Sequence, residues 1–220
     1  MKSTHKFLNV LAAGTMLAAS NAYAVNATSA SVYLHADPGS YVGGSYTNGV
    51  TWVHGIDGLF SESVNYNKGA SISYQGTDLF NFDFAAPTYD PVTNTTPGNN
   101  LTVKLYDNAA RFPFNSPTKP GLNVSGAGAG YNQLSGSFDV LEVVYDATNT
   151  HILKLAVNFK EYGENLTQSG PALYGSLRFN SLIPLSIPSA VPEPSMYLMM
   201  AFGLGITALV ASRRKAVNAA

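Results

Sequence analysis

The chain has 220 residues, with twelve Lys or Arg against thirteen Asp or Glu, and no cysteine. Between two apolar ends, residues 25–190 carry seven basic and twelve acidic side chains, a formal charge of −5. An acidic surface without clustered Lys and Arg argues against nucleic acid as a partner. The missing thiols exclude disulfides, thiolate catalysis and cysteine-based metal sites.

At the N-terminus, Lys2 and Lys6 precede an apolar run from Phe7 to Ala19, and Ala22-Tyr23-Ala24 is a small-x-small cleavage signal. This is the layout of a signal peptide over residues 1–24, handed to the secretion machinery and cut after Ala24. The apolar run is too short for a comfortable membrane span. Fold reasoning therefore starts at Val25, and the 166 residues from 25 to 190 suit one domain.

Alternation at period two dominates residues 25–184, which predicts an all-β fold, an antiparallel β-sandwich or jelly-roll-like single domain of about nine short strands. Strands are expected near Val32–His35, Val50–His54, Leu59–Tyr66 and Ala70–Tyr74. In "DLFNFDF" Phe80, Phe82 and Phe84 share one face, and in "LTVKLY" Leu101, Val103 and Leu105 are expected to do the same. Residues 86–100 read as a long polar loop, and so do residues 113–130. A hairpin follows, Phe138–Tyr145 and Ile152–Phe159 around "DATNT", with Leu153, Leu155, Val157 and Phe159 expected inward. A last strand, "ALYGSLRFN", puts Leu173, Leu177 and Phe179 inward.

Candidate chemistry in this stretch is sparse. His35 and His54 lie near Asp37 and Asp57, but no H-x-H or HExxH spacing specifies a metal site. Asp37, Asp57, Asp90, Asp107 and Asp146 fall in expected turns without the D-x-D-x-D-G pattern of a calcium loop. "GAGAG" at 126–130 lacks the Lys-Ser or Lys-Thr of a phosphate loop and reads as a tight turn. Glu161 and Glu164 in "KEYGEN" read as solvated loop residues rather than a glycosidase pair, and no G-x-S-x-G elbow is present. Tyr33, Tyr41, Tyr46, Tyr66 and Tyr89 lie in or beside loops, and with Trp52 they could stack on sugar rings. No catalytic, cofactor-binding or metal residue is assigned, and an enzyme is not expected.

Residues 181–195 hold four prolines and read as an extended tether, with the domain ending near 184 and the tether proper at 185–195. Met196 to Ala211 is free of charge. As a helix those sixteen residues reach about 24 Å, short of a hydrocarbon core of about 30 Å. A short transmembrane helix over 196–212 is expected, with a basic tail at 213–220 on the cytoplasmic side.

Pro192-Glu193-Pro194, the apolar helix, and Arg213-Arg214-Lys215 together resemble the PEP-CTERM sorting signal of Gram-negative bacteria. The resemblance implies recognition by exosortase, a membrane-embedded transpeptidase-like enzyme that removes the tail near the Pro-Glu-Pro. It also implies transient residence in the inner membrane with the domain in the periplasm, then release or attachment at the cell surface. Such proteins accompany exopolysaccharide production and biofilm formation. Within residues 32–184, "LHADPGSYVGGS", "ARFPFNSPTKPGLNVSGAGAGYNQLSGSFDVLE" and "PALYGSLRFNS" resemble a secreted bacterial domain without established activity. In that family a Cys commonly stands where this chain has Tyr131 and another where it has Tyr162. The resemblance implies that two aromatic rings fill the space of a missing disulfide.

These readings converge on an exported surface or matrix protein with a structural or adhesive role in extracellular polysaccharide. A carbohydrate-binding module is the alternative, and an extracellular polysaccharide hydrolase a weaker one.

Overall fold

The computed structural model describes residues 27–96 and 100–187. The expected signal peptide, Pro-Glu-Pro motif and transmembrane helix lie outside the described residues. Ten strands follow one another: β1 (Ala30–Ala36), β2 (Val50–Val53), β3 (Gly58–Val64), β4 (Ala70–Gly76), β5 (Leu79–Ala85), β6 (Lys104–Arg111), β7 (Gly121–Gly126), β8 (Leu134–Tyr145), β9 (Ile152–Gly163) and β10 (Ala172–Phe179). The all-β class is what the chain adopts, as one continuous ten-stranded sheet that is antiparallel except between β6 and β7. Its strand order is β2-β1-β10-β9-β8-β6-β7-β5-β4-β3.

The sheet curls until it nearly closes. Its two outermost strands, β2 and β3, are consecutive in the chain, and a turn whose Gly55 N–H donates to the Gly58 carbonyl joins them. Trp52 of β2 stacks on Tyr74 of β4 at 4.5 Å between ring centroids, and the Ala27 amide reaches the Phe60 carbonyl of β3. On the far side, Glu62 of β3 crosses to the start of β9, where its Oε2 accepts from the Ile152 amide at 2.9 Å and its Oε1 meets His151 Nδ1 at 2.9 Å. A sheet with one apolar face must turn that face inward, and closure leaves little backbone edge open.

The enclosed face is aromatic. Phe80, Phe82 and Phe84 are buried as the alternation predicts, and Phe84 lies 5.3 Å from Phe138 and 5.8 Å from Phe159 across the interior. Leu155, Val157, Leu173, Leu177 and Phe179 are likewise buried.

Three expectations are corrected. Val103 and Leu105 are 63% and 62% exposed, because the strand begins at Lys104 and turns Tyr106 inward instead. Leu153 is exposed and Ile152 buried, because an irregularity at Val144/Tyr145 shifts the hairpin register by one residue, and such a slip exchanges faces. The expected loop at 113–130 contains β7, which pairs antiparallel with β5 and parallel with β6 through Ala110↔Gly121 and Arg111↔Leu122. β7 has only Leu122 and Val124 as inward apolar residues between two glycines, so its alternation is too short to stand out.

Candidate functional site

The described chain ends converge on one site. Asn180, just past β10, donates its amide to the Ser29 carbonyl, and its Oδ1 accepts from the amides of Thr28 and Ser29 at 2.8 and 3.0 Å. Asn180 sits at φ 50°, a left-handed conformation that asparagine tolerates well. From there residues 181–187 run back over the outer face of β10 as a strap. Arg178 points outward, because Leu177 and Phe179 on either side point inward, and the strap buries it to 3% exposure.

The Arg178 guanidinium is held by oxygen dipoles. Nε donates to the Ile183 and Pro184 carbonyls at 3.0 and 3.1 Å, Nη2 to the Pro184 carbonyl at 2.8 Å, and Nη1 to the Val157 and Leu177 carbonyls at 3.0 and 2.8 Å. Nη2 also reaches Asn158 Oδ1 at 3.1 Å. Among the described residues no carboxylate lies within 4 Å of it. Burial lowers its proton affinity from the ordinary arginine value. The strap is fixed further by Ser186, whose amide donates to Ser176 Oγ and whose Oγ accepts from Asn158 Nδ2. Ser181 Oγ donates to Glu142. These contacts are polar, and Leu182 stands 93% exposed.

The acid residues are placed differently from expectation. Glu161 is not in a loop: it lies in β9, facing inward and fully buried. Its Oε2 accepts from the Val124 amide of β7 at 3.0 Å, while Oε1 has no hydrogen-bond partner among the described residues. Burial, above all, pushes its carboxyl well above the usual range, and the Asp83 charge adds to this. Asp83 is also raised by burial, against hydrogen bonds from Ser71 and Asn123 that lower it. Alternation puts Asp83 on the outer face of β5, since Phe82 and Phe84 point inward, so the two carboxyls lie on opposite faces. Glu164 sits in the exposed connection and accepts from the Asn132 amide.

The remaining candidates find separate, local partners. His54 Nδ1 accepts from the Phe60 amide, and Asp57 caps its turn by accepting from the Val53 amide. Asp37 accepts from the Ala172 amide and the Tyr174 hydroxyl. Asp146 accepts from the Thr150 and His151 amides of the hairpin turn, and the Gln168 side chain donates to Asp107. Among the described residues no group of three or more His, Asp or Glu could hold a metal ion. "GAGAG" is the tight turn expected, and a Cβ at Gly126 would stand 2.3 Å from the Phe80 ring.

Among the tyrosines and Trp52, Trp52 is buried rather than available to a ligand. Tyr46 is half-buried and donates to Asp78, and burial with this bond pushes its hydroxyl up to about 12. Tyr41 and Tyr66 are exposed. Tyr89 and Asp90 line an open cleft of about 320 Å³ with Lys104, Asn100 and Thr118. Tyr131 and Tyr162 do not fill a common space. Tyr131 lies in the core against Gly163, with its hydroxyl on the Val42 amide and Ser40, while Tyr162 lies under Lys160 Nζ on the outer face.

Beyond the strap the sequence continues into an apolar segment and a basic cluster. Residues 190–215 match the PEP-CTERM protein-sorting motif. The chain thus carries the signal of an exosortase substrate, an exported protein held transiently at the membrane and processed there. No curated protein and no solved structure matches the chain.

Glu161 sets a pH dependence. Above its ordinary value of 4.5 the unfolded chain releases a proton that the folded chain keeps. Stability therefore falls with rising pH, by up to ~1.4 kcal/mol per pH unit, until the buried carboxyl ionises. Glu161→Gln keeps an acceptor for Val124. Urea midpoints of the mature protein between about pH 5 and about pH 8 are expected to decline less steeply in the variant. Equal slopes would contradict this.

Proposed function

We propose that the exported body is a non-enzymatic structural or adhesive component of the cell surface or extracellular matrix, acting within exopolysaccharide of a biofilm. The observation that carries the reading is the sorting motif at residues 190–215, because an exosortase substrate is delivered to the outside of the cell. The arrangement of acids supports it. Acid–base hydrolysis needs two carboxyls on one cleft, whereas Glu161 and Asp83 face opposite sides of the sheet, and the 320 Å³ cleft has Asp90 as its one carboxylate. The maturation follows from the same signal: passage through the secretion machinery, retention by the apolar segment, then removal of the tail near Pro192-Glu193-Pro194.

A second reading, a carbohydrate-binding module, is favoured by one surface. On the outer face of β1, β10 and β9, the His35 ring lies 5.9 Å from Tyr174, and Lys160 Nζ sits 4.7 and 4.8 Å from the rings of Tyr162 and Tyr174. Flat rings beside an ammonium suit an acidic sugar polymer. Retention of the mature protein on polyuronate, lost in Tyr174→Ala and Lys160→Ala, would make this the better reading.

The sorting step is tested by Glu193→Ala in the native host. Export and signal-peptide removal should persist, while the full-length C-terminus accumulates in the membrane fraction. Unchanged tail removal in that variant, read by intact mass, would count against recognition through the motif.

A further inference from the structure

The Arg178 strap lies outside the body's buried core: its hydrogen bonds to the body are polar, Leu182 and Ile187 are exposed, and Ile183 and Leu185 are half-buried. What it fixes is where the chain leaves the body. Among the described residues, Ser186 is the last with a hydrogen bond to the body, and the sorting motif begins at residue 190. From Ser186 to Glu193 there are seven residues, which span at most about 25 Å when fully extended. With the strap released, the last fixed residue becomes Asn180, held by Ser29, and the thirteen residues to Glu193 span about 45 Å. A body of this length is about 40 Å across. With the strap closed, then, the chain from Ser186 to Glu193 is too short to reach as far as the body is wide.

We propose that Arg178 is a positioning residue for the sorting reaction: by holding the Ile183 and Pro184 carbonyls to β10, it sets the distance between the folded body and the bond that exosortase cuts. The inference rests on the exosortase reading above. A membrane-embedded enzyme must reach the motif past the body, and a short tether excludes much of the space it needs. Tethers too short to span a site suppress the encounter, and added length restores it. The guanidinium is suited to a latch that opens. All of its acceptors are neutral oxygens, which water can replace, and no buried carboxylate is left uncompensated on release. Opening the strap leaves the ring-lined interior untouched, so it is a local event.

Two variants separate reach from mere loosening. Arg178→Ala loosens the strap by removing the bonds to the Ile183 and Pro184 carbonyls, leaving the Ser181 and Ser186 bonds. A six-residue Gly/Ser insertion between Ile187 and Pro188 leaves the strap closed and adds the length that full release would free. In a pulse-chase in the native host, both are expected to shorten the half-life of the unprocessed precursor, roughly twofold or more. Unchanged or slower processing of the insertion variant would overturn the inference. If Arg178→Ala is degraded before processing, the insertion variant alone decides. A parallel strain lacking exosortase keeps the two readings apart. Tail removal from the wild-type chain in that strain would refute the exosortase reading itself. Normal exosortase dependence with no response to added length would refute only the role of Arg178.

Discussion

The rest of the structure depends on burying one stripe of rings. Phe80, Phe82 and Phe84 occupy alternate positions of β5; Phe82 and Phe84 meet Phe138 and Phe159 from β8 and β9 across the interior, and Phe80 packs against Trp52. Each such ring contributes about 1.5–3 kcal/mol on burial, and without disulfides this must hold the curled sheet together. A single sheet can satisfy it only by curling until the two halves face each other. The curl stacks Trp52 of β2 on Tyr74 of β4 and lets Glu62 bridge from β3 to β9.

Curling also creates the polar exceptions. β6 and β7 pair only at Ala110 and Arg111, so the Val124 amide is left without a strand partner, and Glu161 reaches in from β9 to accept from it. A fully buried carboxyl with a single donor is best kept neutral, which is why its proton affinity rises. On the outer face the last strand leaves Arg178 uncovered until the strap folds back. The body thus presents its C-terminal exit beside Thr28 and Ser29, close to the first described residue, Ala27.

Much of this was legible in the sequence where a pattern repeats. The Phe stripe, the β8–β9 hairpin and the inward Leu173, Leu177 and Phe179 follow from alternation, and the sorting motif follows from Pro-Glu-Pro, an apolar run and a basic cluster in order. What was not legible depends on irregular register or long-range contact. A one-residue shift exchanged Leu153 for Ile152, and the late start of β6 put Val103 and Leu105 outside. Glu161 looked like a loop acid because β9 continues past Phe159 to Gly163, and only β7 gives it a partner. The strap had one signal: an outward Arg on the last strand, followed by Pro-rich chain with no acid before Glu193.

The central claim is that the body is exported and then parted from its tail at the sorting signal. The most direct test is intact mass and cell fractionation of the protein from its own host, wild type beside an exosortase deletion. The account predicts a wild-type species that begins at Val25, lacks the residues beyond about 195, and lies outside the inner membrane, with the tail retained in the deletion strain. A species in both strains that keeps Arg213-Arg214-Lys215 and stays in the inner membrane would contradict it.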